Sequence, residues 1–351
     1  MQNNILHKST NLDLLRAVAV TFVVVDHTSK FLGHPFVLGR EMNWLGRLGV
    51  MFFFVHTCTV LMLSLERLTT ETTRARAWLS FYIRRIFRIY PLSIFAVTVV
   101  VLFHIPSAFI SGRYLFGNFD PSRNEVVGSL LLIQNVWPRG SREIIGVLWS
   151  LPFEVQMYVL LPIIFLFQSR LRRLWPLFAV WIGSWIPAHL FMPLHYAPHF
   201  LAGVIAFALA SRQRSSLWPS WLFPITLGVL TMAFFAWRQS TAVGGMICFI
   251  LGSLLPRFAT IKSPTVNRIT YNMAKYSYGV YLSHLFCLWV AFDVVRSFHV
   301  VTFGILLLSM PVLLFHCIES PMIQLGIWLG SAIARHPIQY ASTEAVPPAA
   351  P

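Results

Sequence analysis

NLDLLRAVAVTFVVVDHT, residues 11–28, sets the terms on which the whole chain is read. Its middle is a run of Ala, Val, Phe and Thr, yet Asp13, Arg16, Asp26 and His27 are set into it. A helix rising about 1.5 Å per residue needs about 20 apolar residues to cross about 30 Å of hydrocarbon. The apolar segment containing this stretch runs over 12–33, so it is expected to cross a bilayer with four ionisable groups on board. Ionisable groups at that depth are costly, and each marks a functional question.

Outward from this segment the same character continues. Of 351 residues, 56% are apolar and 11% charged, against roughly 25% charged in soluble domains. This excludes an ordinary soluble enzyme, a disordered chain and a coiled coil. Further apolar spans are expected at 46–65, 89–106, 147–167, 174–192, 197–211, 217–237, 241–256, 275–295 and 299–318. The fold class is therefore all-α, a polytopic membrane protein of about ten transmembrane helices with both termini cytoplasmic. Segment 125–137 is too short to span and reads as re-entrant or interfacial. Segment 321–334 reads as an amphipathic helix along the interface. One membrane-embedded domain is expected over 1–334, then a disordered cytoplasmic tail over 335–351, rich in Pro and Ala. The N-terminus carries no cleavable signal peptide on this reading, and the first span acts as its own insertion signal.

Lys and Arg number 27 against 12 Asp and Glu, a formal charge of +15. Seventeen of the basic residues fall in expected inside loops and nine in outside ones, which favours this orientation. Because they punctuate apolar runs, no nucleic acid is expected as a partner. Cys58, Cys248, Cys287 and Cys317 lie in apolar segments without ligand spacing, so no metal site is expected.

Four clusters carry chemistry. On the first span, Arg16 and His27 stand eleven residues apart, within about 20° of one face and about 16 Å apart along the axis. Asp13 falls within about 40° of the same stripe. An i,i+3 ion pair of Asp13 with Arg16 that anchors the helix end is the competing, structural reading. In FYIRRIFRIYPL, 81–92, Arg85 and Arg88 are one turn apart. They read either as snorkelling anchors or as a fork for phosphate oxygens, with Pro91 breaking the interfacial run and starting a new helix direction. In GVLWSLPFEVQMYVLLP, 146–162, Glu154 needs a partner, and His27, an arginine or Tyr158 are the candidates. In YSYGVYLSHLF, 276–286, Tyr281 and His284 lie at membrane depth, and His56 in FFFVHTCTV is a further such histidine.

Taken in order, NLDLLRAVAVTFVVVDHT (11–28), GVMFFFVHTCTVLML (49–63), RRIFRIYPL (84–92), LWSLPFEVQMYVLLP (148–162), YSYGVYLSHL (276–285) and IESPM (318–322) resemble the membrane acyltransferase-3 family of polytopic O-acyltransferases. The resemblance implies that Arg16 and His27 are the signature pair of the first helix. It implies that Arg85 and Arg88 meet the phosphates of acyl-CoA. It also makes Glu154, Tyr281 and His284 counterparts of family positions. The chain departs from the family at His56 and Thr57, where a serine-glycine pair is usual, which leaves His56 as a substitute. No SGNH-type esterase domain is attached, so a separate periplasmic acyl-transferring protein is an expected partner.

The function that follows is transfer of an acyl group, most simply acetyl, from cytoplasmic acyl-CoA to a hydroxyl of a glycan or lipid-linked sugar. The setting is a multi-pass protein of the bacterial inner membrane. Acyl-CoA is then a co-substrate, with no tightly bound cofactor. His27 is expected to be the general base, with Asp26 or Glu154 orienting its imidazole. Tyr281 or a backbone donor is expected to stabilise the oxyanion. The competing readings are a secondary transporter with an Asp/His proton relay and a scaffold in a polysaccharide export complex. The transporter lacks the internal repeat common in such folds.

Overall fold

A computed structural model describes residues 6, 9–33, 36–37, 40–41, 44–105, 109–110, 113–114, 121–137, 143–213, 215, 217–237, 239–295 and 297–335. The described chain is helical apart from two hairpins of two-residue strands, β1 (Phe36–Val37) with β2 (Arg40–Glu41) and β3 (Phe109–Ile110) with β4 (Arg113–Tyr114). In chain order the helices are α1 (Thr10–Phe31), α2 (Leu45–Glu71), α3 (Arg74–Leu102), α4 (Arg123–Leu131), α5 (Leu151–Arg170), α6 (Trp175–Gly183) and α7 (Trp185–Leu190). They continue with α8 (Ala197–Ala210), α9 (Leu222–Ala236), α10 (Thr241–Leu254), α11 (Pro264–Trp289), α12 (His299–Leu314) and α13 (Ser320–Arg335).

Six helical stretches are long and apolar enough to cross a membrane: Leu45–Glu71, Arg74–Leu102, Gly146–Arg170, Met192–Ala210, Pro264–Val295 and His299–Ala334. Helix α1 has the length, but its charges are spread along it, with only nine residues between Arg16 and Asp26. Two shorter apolar helices, Leu222–Ala236 and Thr241–Arg257, fall at the expected spans 217–237 and 241–256. The outer faces are apolar. Leu308 is 76% and Val300 67% exposed, which a water-soluble surface would not tolerate as a continuous band but hydrocarbon does.

Helix α2 is the most enclosed of the long helices, with α1 on one side and α8 on another. Glycines permit this approach, since without a hydrophobic drive between helices in lipid, close packing must supply the attraction. A Cβ on Gly49 would stand 2.6 Å from the carbonyl of Ala19 on α1, and one on Gly203 would stand 2.5 Å from the carbonyl of Val55.

Helices α1 and α11 run parallel. At their starts, Thr10 Oγ1 donates to the Ile261 carbonyl at 2.8 Å and Asn11 Nδ2 to the Ala259 carbonyl at 3.1 Å. At their far ends, Phe31 meets Phe292 edge-on at 5.1 Å. If both cross the membrane, the chain crosses an odd number of times between them. Segment 125–137 bears on that parity. Its helix α4 is opened by a Ser122–Glu125 capping box and closed after nine residues by the left-handed Leu132. Nine residues rise only about 14 Å, so α4 does not span. It is docked from both sides, with Tyr90 Oη donating to the Leu131 carbonyl at 3.1 Å and Gln134 Nε2 to the Leu148 carbonyl at 2.9 Å.

Three expectations need correction. Segment 174–192 is not one span but α6 and α7, broken at Ser184. Pro187 has no N–H for the Gly183 carbonyl, and the Ser184 hydroxyl turns back to the Trp181 carbonyl at 2.6 Å. Pro91 does not break the helix, because α3 continues through it from Arg74 to Leu102. Membrane helices tolerate such a proline when neighbours re-satisfy the backbone. Segment 321–334 does not lie apart as an interfacial helix. It continues α12 through a π-helical turn at Phe315–Glu319 and packs along α3. Pro321 comes directly after that π-helical turn, where the altered bonding pattern accommodates its missing N–H. Residues 336–351, most of the expected tail, lie outside the described residues.

The glycine contacts give a test of opposite signs. Gly203→Ala forces a methyl against the Val55 carbonyl and is expected to destabilise by about 1–3 kcal/mol. Gly228→Ala, with nothing within 4 Å of the new methyl, is expected to gain about 0.5–1 kcal/mol in helix propensity. Thermal unfolding of the detergent-solubilised protein reads both.

Candidate functional site

Four helices converge on one cluster of charge. Arg16 of α1 donates from Nε to Ser277 Oγ of α11 at 2.6 Å, and Ser277 in turn donates to the Ala274 carbonyl at 2.8 Å. Arg85 and Arg88 enter from α3, and Glu154 and Tyr158 from α5. All five of these groups line one cavity of about 90 Å³, together with His56 and Thr57 of α2. The Tyr158 hydroxyl donates to Glu154 Oε1. Glu154 interacts electrostatically with Arg16, Arg85 and Arg88, so one carboxylate serves three guanidiniums there. Arg85 stacks its guanidinium over Phe81 at 5.9 Å. Its Nε is buried and has no hydrogen-bond partner among the described residues. A desolvated donor of that kind is costly unless a ligand satisfies it. The excess of cationic forks over carboxylates selects an anion, and phosphate oxygens match the fork best.

The second feature is a pair of imidazoles. His27 Nδ1 lies 2.9 Å from His284 Nε2, and His284 Nδ1 lies 3.0 Å from the Val280 carbonyl. The rings are stacked, with centroids 5.0 Å apart. A carbonyl only accepts, so His284 must carry its proton on Nδ1. Its Nε2 is then the acceptor, and His27 must donate from Nδ1. The basic nitrogen of His27 is therefore Nε2.

His27 lines a second cavity, of about 420 Å³, with Asp26, Lys30, Arg47, Trp149 and Tyr196 among its walls. The two cavities share Val50 and Tyr281 as lining residues. Tyr281 is fixed there: its hydroxyl donates to the Val147 carbonyl at 2.6 Å and lies 2.8 Å from Ser150 Oγ, which must supply the proton of that second bond.

The residues singled out from the sequence thus divide in two. Arg16, Arg85, Arg88, Glu154, Tyr158 and His56 surround the first cavity, Asp26 and His27 the second, and Tyr281 both. His284 stands behind His27. Among the described residues both carboxylates have partners other than the imidazole. Asp26 is held by Lys30 at 2.5 Å, and Glu154 is taken up by Tyr158 in the other cavity. Helix geometry explains the first case, since residue 26 points about 100° away from residue 27. The Tyr281 proton is already committed to Val147, so this side chain is a wall and not an oxyanion donor. Sequence reasoning also passed over Ser150, Ser277 and Glu319. Glu319 is 1% exposed, without a hydrogen-bond partner for either oxygen among the described residues, and it interacts electrostatically with Arg88 and Arg16. A carboxylate at the end of an apolar run was the available signal for it, whereas the two serines carry none.

A family model described as an acyltransferase domain matches residues 9–318, which include every residue of both cavities named above. No curated protein and no solved structure matches the chain.

The proton assignment is open to direct measurement. With ¹⁵N-histidine labelling in lipid, the resonances lost in His27→Ala and in His284→Ala are expected to be those of Nδ1–H tautomers. An Nε2–H signature for either histidine contradicts the assignment.

Proposed function

The chain belongs to the acyltransferase-3 family, and from that premise we propose that it is an integral membrane O-acyltransferase. It moves an acyl group, most simply acetyl, from cytoplasmic acyl-CoA to a hydroxyl of a glycan or lipid-linked sugar, in a bacterial inner membrane. The observation that carries this reading is the pair of cavities meeting at Val50 and Tyr281. One is rich in guanidinium and the other contains an imidazole.

In this mechanism Arg85, Arg88 and Arg16 bind the phosphates of the donor, and the thin pantetheine arm passes Val50 and Tyr281. The acceptor enters the second cavity. His27 Nε2 removes the proton of the acceptor hydroxyl as its oxygen attacks the thioester carbonyl. The imidazolium so formed is held at its Nδ1–H by the lone pair on His284 Nε2. When the tetrahedral intermediate collapses, the C–S bond breaks and the CoA sulfur takes the proton from His27. The products are the acyl ester and CoA, and His27 is restored. His284 is a positioning residue here, the part a third group plays in a triad. Glu154 limits the repulsion among the arginines and does not touch the reacting atoms. A separate periplasmic protein is a partner for any onward transfer of the acyl group.

Purified protein supplied with acetyl-CoA and an acceptor tests this. His27→Ala is expected to lower acceptor-dependent CoA release by about 10²–10⁴-fold, the usual contribution of a general base. Arg85→Ala is expected instead to raise KM for acetyl-CoA about tenfold, the loss of one charge-assisted contact of about 1.5 kcal/mol. CoA release untouched by His27→Ala overturns the mechanism.

A further inference from the structure

We propose that the second cavity is an acceptor site for a sugar that carries one anionic group, a carboxylate or a phosphate. This rests on the acyl-transfer reading above and adds the class of acceptor to it. The cavity is the larger of the two, about 420 Å³ against about 90 Å³, as a bulky acceptor opposite a thin arm requires.

Asp26 is the anchor. It is 1% exposed. Its Oδ2 is held by Lys30 Nζ at 2.5 Å, while its Oδ1 is buried without a hydrogen-bond partner among the described residues. The residue lines the cavity, and a buried carboxylate oxygen left without a donor is costly, so a sugar hydroxyl that reaches it is a partner of the right size. Gly46 makes the seat: a Cβ there would stand 2.7 Å from Asp26 Oδ2. Trp149 and Tyr196, with ring centroids 5.7 Å apart, line the same cavity and offer apolar faces to the C–H side of a pyranose.

The charge of the lining selects further. The wall carries two cations, Lys30 and Arg47, against the one carboxylate of Asp26, which Lys30 bonds and Arg47 meets only electrostatically. A guanidinium fork matches a carboxylate or phosphate, so a neutral sugar leaves Arg47 unused while an acidic one engages it. His27 adjoins Asp26 in the same cavity, so a sugar hydrogen-bonded to Asp26 has hydroxyls near the base.

The experiment measures acetyl transfer by the full-length protein from acetyl-CoA to methyl glucoside, methyl glucuronide and glucose 1-phosphate, with ester formation read by mass spectrometry. The two anionic sugars are expected to show KM about tenfold below methyl glucoside, one charge-assisted contact. Comparing them tells which anion the site prefers. Arg47→Gln is expected to erase the preference by raising KM for the anionic pair, with the effect on KM and not on kcat. Asp26→Asn is expected to raise KM for all three sugars, and Gly46→Ala, which displaces the same carboxylate, to do likewise. Methyl glucoside equalling the anionic sugars, or a preference that survives Arg47→Gln, overturns the proposal. So does the absence of transfer to any sugar while acetyl-CoA still binds, an outcome that leaves the donor site standing. Failure to bind acetyl-CoA overturns the acyl-transfer reading itself.

Discussion

A guanidinium placed at the depth of the hydrocarbon must be enclosed by protein and matched by charge, because lipid offers it nothing. Arg16, Arg85 and Arg88 impose that constraint here. Each comes from an apolar helix, and each is turned inward to one cavity with Glu154 and Tyr158. Glu319 adds a second carboxylate within electrostatic reach of Arg16 and Arg88. The enclosure is incomplete in one informative respect, since Arg85 Nε has no partner among the described residues. A cluster that is caged yet left short of acceptors suits an anionic ligand.

Helix α11 couples this cluster to the imidazole pair. Ser277, Tyr281 and His284 recur at intervals of four and three, so they form one stripe. That stripe faces α1, with Ser277 on Arg16 at one end and His284 on His27 at the other. The parallel run of α1 and α11 lets a single helix pair hold both ends of the path. Arg16 and His27 are about 16 Å apart along α1 but Ser277 and His284 only about 10 Å along α11. The long arm of Arg16 makes up the difference.

Much of this was legible in sequence because hydropathy and membrane depth are one-dimensional. The helices around 46–65, 147–167 and 275–295 follow from run length alone. Arg16, His27 and Glu154 stand out through the cost of ionisable groups in apolar runs, whereas Arg85 and Arg88 are equally open to a snorkelling reading. Pairing is a three-dimensional property and was not legible. His27 is bonded to His284, 257 residues away, and no spacing rule reaches that far. Asp26 and Glu154 were attractive because carboxylates commonly orient imidazoles, but local partners at i+4 took both of them. Proline carries no single meaning in these helices. Pro187 lies within α7, just past the break at Ser184, and denies the Gly183 carbonyl a donor. Pro91 and Pro321 sit where packing or a π-helical turn accommodates the missing donor.

Division into two cavities also bears on water. On the acyl-transfer reading, any water in the cavity beside His27 competes with the acceptor hydroxyl for the same thioester, and both are activated by the same base. Tyr281, tied to Val147 and Ser150, lines both spaces without offering a proton, so it does not favour either nucleophile. Discrimination must therefore come from occupancy of the larger cavity. On the proposal of an acidic acceptor, a sugar held by Asp26 and by an anionic contact at Arg47 displaces water from beside His27, which a small alcohol cannot do. The polar wall that looks superfluous to the chemistry is then what steers the reaction toward transfer and away from hydrolysis.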